Sequence, residues 1–140
     1  MFLLDTNTVS ELRKLRAGKA DPGVAAWAGQ VQPSRLFVSV VTMHELELGV
    51  LLKERRDPAQ GALLRHWLEQ AVLPAFAGRI LPVDLAVARR SAALHNPDPQ
   101  SFADGLIAAT ALVHGLVVVT RNLADFKASG VPLLNPWLGG

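Results

Sequence analysis

Four acidic residues that lie far apart in the chain have the side chains needed for metal-assisted phosphoryl chemistry: Asp5, Glu45, Asp104 and Asp125. Asp5 ends the short apolar run at residues 2–4 and precedes small polar residues, which is typical of a buried strand that meets a turn and a helix start. Open α/β sheets bind their ligands at that edge. An aspartate before a helix is also a common N-cap, and position alone leaves both interpretations of Asp5 open.

Asp104 and Glu45 are each predicted in the first turn of a helix, on a stripe that also carries apolar residues. Glu45 has Leu48 and Leu52 on its side of the helix, and Asp104 shares a stripe with Ile107, Ala108, Ala111 and Leu112. A carboxylate that faces the core is costly unless something pairs with it. For either residue alone, the alternative is a solvated acid that the helix dipole favours. That alternative is harder to apply to Asp5, Glu45 and Asp104 together.

A further polar cluster follows the apolar run at residues 116–119 and contains Thr120, Arg121, Asn122 and Asp125. Taken alone, Asp125 is best explained as a residue that closes a short turn. Together with the other acids it completes a pattern of carboxylates from four segments, and such like charges repel unless a cation neutralises them. Ligand sets built only of oxygen favour Mg²⁺, with Mn²⁺ as a second possibility, and these ions serve phosphoryl chemistry.

Composition narrows the class of protein further. The 140 residues, half of them hydrophobic, suit one domain over residues 1–140. The chain has no cysteine, which excludes disulfides and thiolate sites and makes a reducing cytoplasm the default expectation. Neither a signal peptide nor a membrane span is predicted, so no membrane partner is expected. A net charge of +2 permits nucleic-acid binding without arguing for it.

Predicted strands and helices alternate along the chain. Strands are predicted at residues 2–4, 36–40, 79–83, 116–120 and 131–135. Helices are predicted at residues 8–17, 42–55, 84–95 and 101–114, and two more are predicted to begin at residues 22 and 58. Asp21 and Asp84 are expected as N-caps, and Gly115 as the glycine that closes its helix. Such alternation predicts a parallel sheet covered on both faces.

Three stretches resemble the motifs of a known family: LLDTNTVSEL, SVVTMHELELG and SFADGLIAATALVHGLVVVTRNLADF. They are similar to the motifs of PIN-domain ribonucleases, and within these of the VapC-type toxins of bacterial toxin-antitoxin pairs, in the FitB-like branch. The match spans nearly the whole chain. The resemblance implies a three-layer α/β/α PIN domain with a central five-stranded parallel sheet. It also implies a Mg²⁺-dependent endoribonuclease that leaves 5′-phosphate and 3′-hydroxyl ends.

The resemblance places Asp5, Glu45 and Asp104 at the positions of the family's first three acids. Some members have their fourth acid where this chain has Asn122, and others use the position of Asp125. Asp5 and Asp104 are then expected to be direct metal ligands, with Glu45 and Asp125 acting through waters.

Supporting roles follow for neighbouring polar residues. Thr6 and Asn7 are expected to hydrogen-bond Asp5 and fix its rotamer, and Thr120 is expected to do the same near Asp125. Arg121 is a candidate contact to the scissile phosphate.

The resemblance also implies partners. These are a small VapB-type antitoxin that directs a basic side chain into the acidic pocket, an RNA substrate and a second copy of the chain in a homodimer. DNA would be contacted only through the antitoxin.

Two rival functions remain open. A haloacid-dehalogenase-like phosphatase would also place an aspartate at the end of its first strand, but its chemistry needs a second aspartate where this chain has Asn7. A non-catalytic PIN domain that serves as a binding module would be expected to lack one of the first three acids.

Overall fold

The computed structural model describes residues 1–138 and contains one five-stranded sheet. All of its strand pairs are parallel and their order is β3-β2-β1-β4-β5. The strands are β1 (Phe2–Leu4), β2 (Leu36–Ser39), β3 (Ile80–Leu81), β4 (Val117–Val119) and β5 (Leu133–Leu134). The predicted five-stranded parallel sheet is confirmed. Residues 139–140, the last two of the predicted domain, lie outside the described residues.

Eight α-helices connect or follow these strands among residues 1–138. They are α1 (Thr6–Leu12), α2 (Pro22–Gln30), α3 (Val40–Arg56), α4 (Pro58–Trp67), α5 (Leu73–Ala75), α6 (Leu85–Leu94), α7 (Phe102–His114) and α8 (Leu123–Lys127). A 3₁₀ turn at Arg13–Leu15 extends α1, and a π-helical turn at Leu68–Val72 joins α4 to α5. No helix among residues 1–138 combines the length and apolar character that crossing a membrane would require.

Several helix ends match the predicted caps. The Asp21 side chain accepts hydrogen bonds from two backbone N–H groups at the start of α2, and Asp84 accepts one from Val87 N. Gly115 closes α7 with a φ of 67°, a left-handed conformation that glycine adopts at low cost. The predicted strand at 36–40 ends one residue early, because the Ser39 hydroxyl caps α3 by accepting from Val41 N.

The core lies on both faces of the sheet. Successive strand residues point to opposite faces, so Leu4 packs on one side with residues of α1 and α3, and Leu3 packs on the other. The second side is covered by Ile107 of α7 and Phe126 of α8, each at most 2% exposed. Helices therefore cover both faces, and the predicted three-layer α/β/α architecture is confirmed.

The two predicted core-facing stripes have different outcomes. Ile107, Ala108 and Ala111 of the Asp104 stripe are buried, as predicted. The prediction for α3 was wrong, because Leu48 and Leu52 are 47% and 51% exposed. The face of α3 that packs on the sheet instead carries Thr42, Leu46 and Val50, spaced four residues apart. Glu45 therefore lies at the border of the buried face and is half-buried. Its predicted place in the first turn was also wrong, because α3 begins at Val40, two residues before the predicted start.

Candidate active site

Asp5 is the acid most firmly fixed by its surroundings. It follows β1, is 5% exposed and caps α1, because its Oδ1 accepts a 2.9 Å hydrogen bond from Thr8 N. The Thr8 hydroxyl also donates to Oδ1 at 2.7 Å, and the Thr120 hydroxyl donates to Oδ2 at 2.6 Å. The two interpretations of Asp5 are therefore compatible: one carboxylate both caps a helix and lies at the edge of the sheet where ligands bind.

The expected hydrogen bonds from Thr6 and Asn7 to Asp5 were wrong. The Thr6 hydroxyl instead donates to Oε1 of Glu45 at 2.5 Å, since Thr6 begins α1 on the side that faces α3. Asn7 is exposed and makes no side-chain hydrogen bond to Asp5 among residues 1–138. Thr8 supplies the contact that sequence reasoning missed. The third residue after an N-cap carries the N–H group that the cap accepts from, and this rule would have found it.

The hydrogen bond expected from Thr120 near Asp125 is made to Asp5 instead. β1 and β4 are neighbours in the sheet, with Leu4 paired to Val119, so the residues that follow these strands lie side by side. Thr120 is therefore next to Asp5, fully buried, and its hydroxyl oxygen also accepts a 3.0 Å hydrogen bond from Asn122 N. Thr120 connects Asp5 to the segment that carries Asn122.

The four predicted acids line one small cavity of about 110 Å³ at this edge of the sheet. Its wall is formed by Asp5, Glu45, Asp104 and Asp125, together with Thr6, Asn7, Ile107, Asn122 and Phe126. Arg121 is not part of this wall and lines a neighbouring cavity with Asn7 and Asn122. The structure thus brings together carboxylates from the end of β1 and from α3, α7 and α8.

The electrostatics of the cavity act most clearly on Asp104. Burial raises the pKa of its carboxyl group above the ordinary value of 3.8, and the negative charges of Asp125, Glu45 and Asp5 raise it further. The hydroxyl of Ser101 has the opposite, smaller effect on this pKa. An acidic cavity that penalises its own ionisation would gain stability from a bound cation.

Asn122 and Asp125 occupy the fourth side of the cavity together. Asn122 stands at the N-cap position of α8, yet within residues 1–138 its side chain makes no capping hydrogen bond. Asp125 lies in the first turn of the same short helix and is exposed. A neutral amide and one carboxylate therefore lie on the same cavity wall as Asp5, Glu45 and Asp104.

The donor atoms of the cavity fit a hard divalent cation. Among residues 1–138, no three acidic or histidine side chains are already gathered as a metal-ligand cluster. All four charged groups on the wall are nevertheless carboxylates, the ligands that Mg²⁺ and Mn²⁺ prefer. Asp5 accepts one hydrogen bond at Oδ2, and a carboxylate oxygen has a second lone pair with which to bind a metal. The raised pKa of Asp104 agrees with a site that a cation would neutralise.

Comparison with known proteins decides the family. The family model described as PIN domain matches residues 2–129. The chain belongs to the PIN-domain family. This PIN domain is 40% identical over 142 residues to VapC ribonuclease Y4jK of Sinorhizobium fredii, covering 98% of each chain. It is also 40% identical to Toxin FitB of Neisseria gonorrhoeae, over 98% of this chain and 99% of FitB.

The fold of this PIN domain is likewise found in a solved structure. The crystal structure of FitAcB from Neisseria gonorrhoeae superposes with a TM-score of 0.87 at 39% sequence identity, covering 98% of this chain and 99% of the compared chain. The predicted PIN-domain architecture, and the resemblance to VapC-type proteins and FitB, are confirmed.

Proposed function

We propose that this PIN domain is a Mg²⁺-dependent endoribonuclease that acts as the toxin of a toxin-antitoxin pair. One observation carries the proposal: four carboxylates from four separate segments line a single cavity at the edge of a parallel sheet. Full-length similarity to a protein named VapC ribonuclease and to one named Toxin FitB supports the same function. The reaction would hydrolyse RNA phosphodiester bonds to 5′-phosphate and 3′-hydroxyl ends.

Asp5 and Asp104 would hold the ion directly, and Glu45 and Asp125 would contact it through waters. Bound there, Mg²⁺ would polarise a phosphate oxygen and lower the pKa of a water molecule, and Mn²⁺ would do the same. Thr8 and Thr120 keep Asp5 in one orientation by donating to both of its oxygens. Thr6 holds Glu45 through Oε1, which leaves Oε2 to accept a hydrogen bond from the attacking water and steer it.

The substrate class can be tested with two substrates. The pure protein is incubated with labelled structured RNA and with p-nitrophenyl phosphate, first with Mg²⁺ and then with EDTA. We expect RNA scission that needs Mg²⁺ and stops in EDTA, without release of nitrophenol. Release of nitrophenol without RNA scission would instead support the phosphatase alternative, although Asn7 stands where such an enzyme needs its second aspartate.

The binding-module alternative is tested in cells. Asp5→Asn and Asp104→Asn keep the side-chain shape and remove the charge, and an asparagine at position 5 can still cap α1. We expect expression of the wild type to arrest growth and expression of these variants to leave growth unaffected. Equal growth arrest by all three proteins would show that catalysis is not the source of toxicity.

We propose a VapB-type antitoxin as the protein partner. Its basic side chain would enter the acidic cavity and supply the positive charge that a cation otherwise provides, so inhibition and metal binding would compete. Promoter DNA would be contacted through the antitoxin only. A cytoplasmic location agrees with this role.

We also propose that two copies of this chain form a homodimer. An apolar groove of about 690 Å³ runs between the starts of α3 and α7, and it includes Val40, Leu48 and Phe102, which are 42%, 47% and 75% exposed. Exposed apolar patches of this kind mark interaction surfaces. Light scattering should show a dimer that Leu48→Glu disrupts. The control Leu85→Glu alters a leucine that is 73% exposed and lies outside the groove, and this variant should stay dimeric.

A further inference from the structure

A second cavity, the basic cavity, adjoins the acidic one. It has a volume of about 470 Å³ and shares Asn7 and Asn122 with the acidic cavity as common wall residues. Its other side chains include Arg13 and Lys14, from the 3₁₀ turn after α1, and Arg121, which follows β4. Cations from two separate segments therefore line a cavity that adjoins the one lined by the four carboxylates.

The charges of the basic cavity are only partly neutralised by the protein. Its one carboxylate, Glu11, forms a 3.1 Å ion pair with Lys14 and accepts a 2.8 Å hydrogen bond from Asp21 N. The hydrogen bond from Asp21 N lowers the pKa of Glu11 most, and the charges of Lys14 and Arg121 lower this pKa further. Within residues 1–138, neither Arg13 nor Arg121 forms an ion pair. The charge of Arg121 acts on Glu11, but in this part of the chain no carboxylate is paired with either guanidinium group, so both can meet an anion.

Tryptophan rings restrain both guanidinium groups. Arg121 Cζ lies 5.8 Å from the centroid of the Trp137 ring, and Arg13 Cζ lies 5.9 Å from that of Trp67. Such cation–π contacts hold the planar group while leaving its N–H edge available. An arginine held in this way loses less conformational freedom when it binds a phosphate.

A nuclease with this acidic cavity needs positive charge elsewhere on its surface to attract RNA. Four carboxylates repel the phosphates of RNA, and the net charge of the whole chain is only +2. Positive charge must therefore be concentrated next to the cavity for a strand to remain bound. The basic cavity is contiguous with the acidic one. If the reacting phosphate of an RNA strand lies among the acids, the neighbouring phosphates of that strand would lie near Arg13 and Arg121.

We propose that Arg13 and Arg121 form a binding site for the backbone phosphates of the RNA strand beside the cleaved bond. This inference rests on the proposed nuclease function. Asn7 and Asn122 separate the two cavities and face the sugar and phosphate between them. Trp137 acts as a positioning residue that holds Arg121.

The test compares two double variants in the full-length chain. Arg13→Gln/Arg121→Gln removes both charges from the basic cavity, and the matched control Arg55→Gln/Arg56→Gln removes two exposed charges at the end of α3. Both are combined with Asp104→Asn, and binding of a fluorescent single-stranded RNA is measured against salt concentration. The slope of log K against log salt should fall by about 0.7 for each phosphate that the first variant no longer binds, and should not change in the control.

Cleavage kinetics separate this inference from the nuclease function. In the otherwise wild-type chain, Arg13→Gln/Arg121→Gln should raise KM about tenfold or more and leave kcat nearly unchanged, because these arginines bind the strand equally in the ground and transition states. If the wild type cleaves RNA and this variant has the KM and salt slope of the control, the phosphate site is refuted while the nuclease stands. If the wild type neither binds nor cleaves RNA, both proposals fail.

A protein segment rich in carboxylates is the alternative occupant. The peptide hexaglutamate is therefore titrated against the fluorescent RNA complex. Loss of hexaglutamate binding in Arg13→Gln/Arg121→Gln, with RNA affinity equal to the control, would overturn the RNA assignment and favour an acidic protein partner.

Discussion

The Thr120 hydroxyl donates a 2.6 Å hydrogen bond to Oδ2 of Asp5, although 115 positions separate the two residues in the sequence. The contact exists because β1 and β4 are adjacent parallel strands that end at the same edge. It fixes a carboxylate that Thr8 already holds from the other side. Asp5 therefore has its orientation set before any cation or substrate binds.

Removing the Thr120 hydroxyl should impair the nuclease more than the fold. Thr120→Val keeps the shape and removes the donor to Asp5, and loss of a group that orients a metal ligand typically costs about 10–100-fold in activity or metal affinity. Thr110→Val is the matched control, since Thr110 is equally buried but donates to Leu106 O inside α7. Both variants should lose similar thermal stability. RNA cleavage should fall only in Thr120→Val, and equal rates in the two variants would contradict the role of this hydrogen bond.

Asp104 should make the metal-free protein less stable as pH rises. Its pKa is raised in the fold by burial and by Asp125, Glu45 and Asp5, and unfolding returns it to about 3.8. Between these two pKa values the folded state binds more protons than the unfolded state, so stability declines with increasing pH until the folded pKa is passed. Asp104→Asn removes this loss. In EDTA, its melting temperature should rise relative to the wild type as pH increases from about 4 to about 7.

The same two proteins can be compared after Mg²⁺ is added. A cation would offset the repulsion among the carboxylates, so the wild type should gain stability from Mg²⁺ and Asp104→Asn should gain less. If the melting temperatures of the wild type and Asp104→Asn in EDTA differ by the same amount across this pH range, the fold does not penalise ionisation of Asp104.

Asp125, rather than Asn122, should fill the fourth acidic role. Asp125→Asn leaves three carboxylates on the cavity wall, and cleavage at limiting Mg²⁺ should fall about 10-fold or more. Asn122→Asp adds a fifth carboxylate and should increase the affinity for Mn²⁺, measured by calorimetry. Full activity in Asp125→Asn would mean that this carboxylate does not contribute to the site.

The close packing of α3 on α4 depends on Gly61. A Cβ atom at this position would lie 2.4 Å from the backbone Cα of Glu54, which cannot move away cheaply. Gly61→Ala should therefore lower the free energy of unfolding by about 1–3 kcal/mol. Gly49→Ala is the control within α3, where an added Cβ meets nothing within 4 Å, and it should stabilise the helix by about 0.5–1 kcal/mol. Chemical denaturation measures both, and unfolding curves shifted equally in the same direction would refute the steric explanation.

The gathering of three of the acids could be predicted from the sequence, because Asp5 follows an apolar strand and Asp104 and Asp125 stand in the first turn of a helix. Parallel strands end at one edge, so this placement alone brings Asp5 and Asp125 toward the same place. The alternation of strands and helices similarly predicted the parallel sheet. These inferences depend only on local pattern and on the geometry of parallel sheets.

The partners of the acids could not be predicted in the same way, because they depend on strand order and helix rotation. Thr120 reaches Asp5 only because β4 lies beside β1, and five strands can be arranged in many orders. Thr6 reaches Glu45 because α3 is rotated so that Leu46 and Val50, rather than Leu48 and Leu52, face the sheet. Side-chain periodicity could not distinguish the two faces, since both carry leucine and valine.

The central claim is that carboxylates from distant segments form one metal-dependent nuclease site. Its most direct test is the rate of RNA cleavage at saturating Mg²⁺ in three single variants. Asp5→Asn and Asp104→Asn each remove one charge from the cavity, and Asp84→Asn removes one from the N-cap of α6, outside the cavity. We expect the first two variants to cleave more than about a hundredfold slower than the wild type. This loss of rate is larger than the loss typically caused by removing a residue that only orients a metal ligand. Asp84→Asn should cleave at the wild-type rate. Cleavage by Asp5→Asn and Asp104→Asn at the rate of Asp84→Asn would contradict the claim.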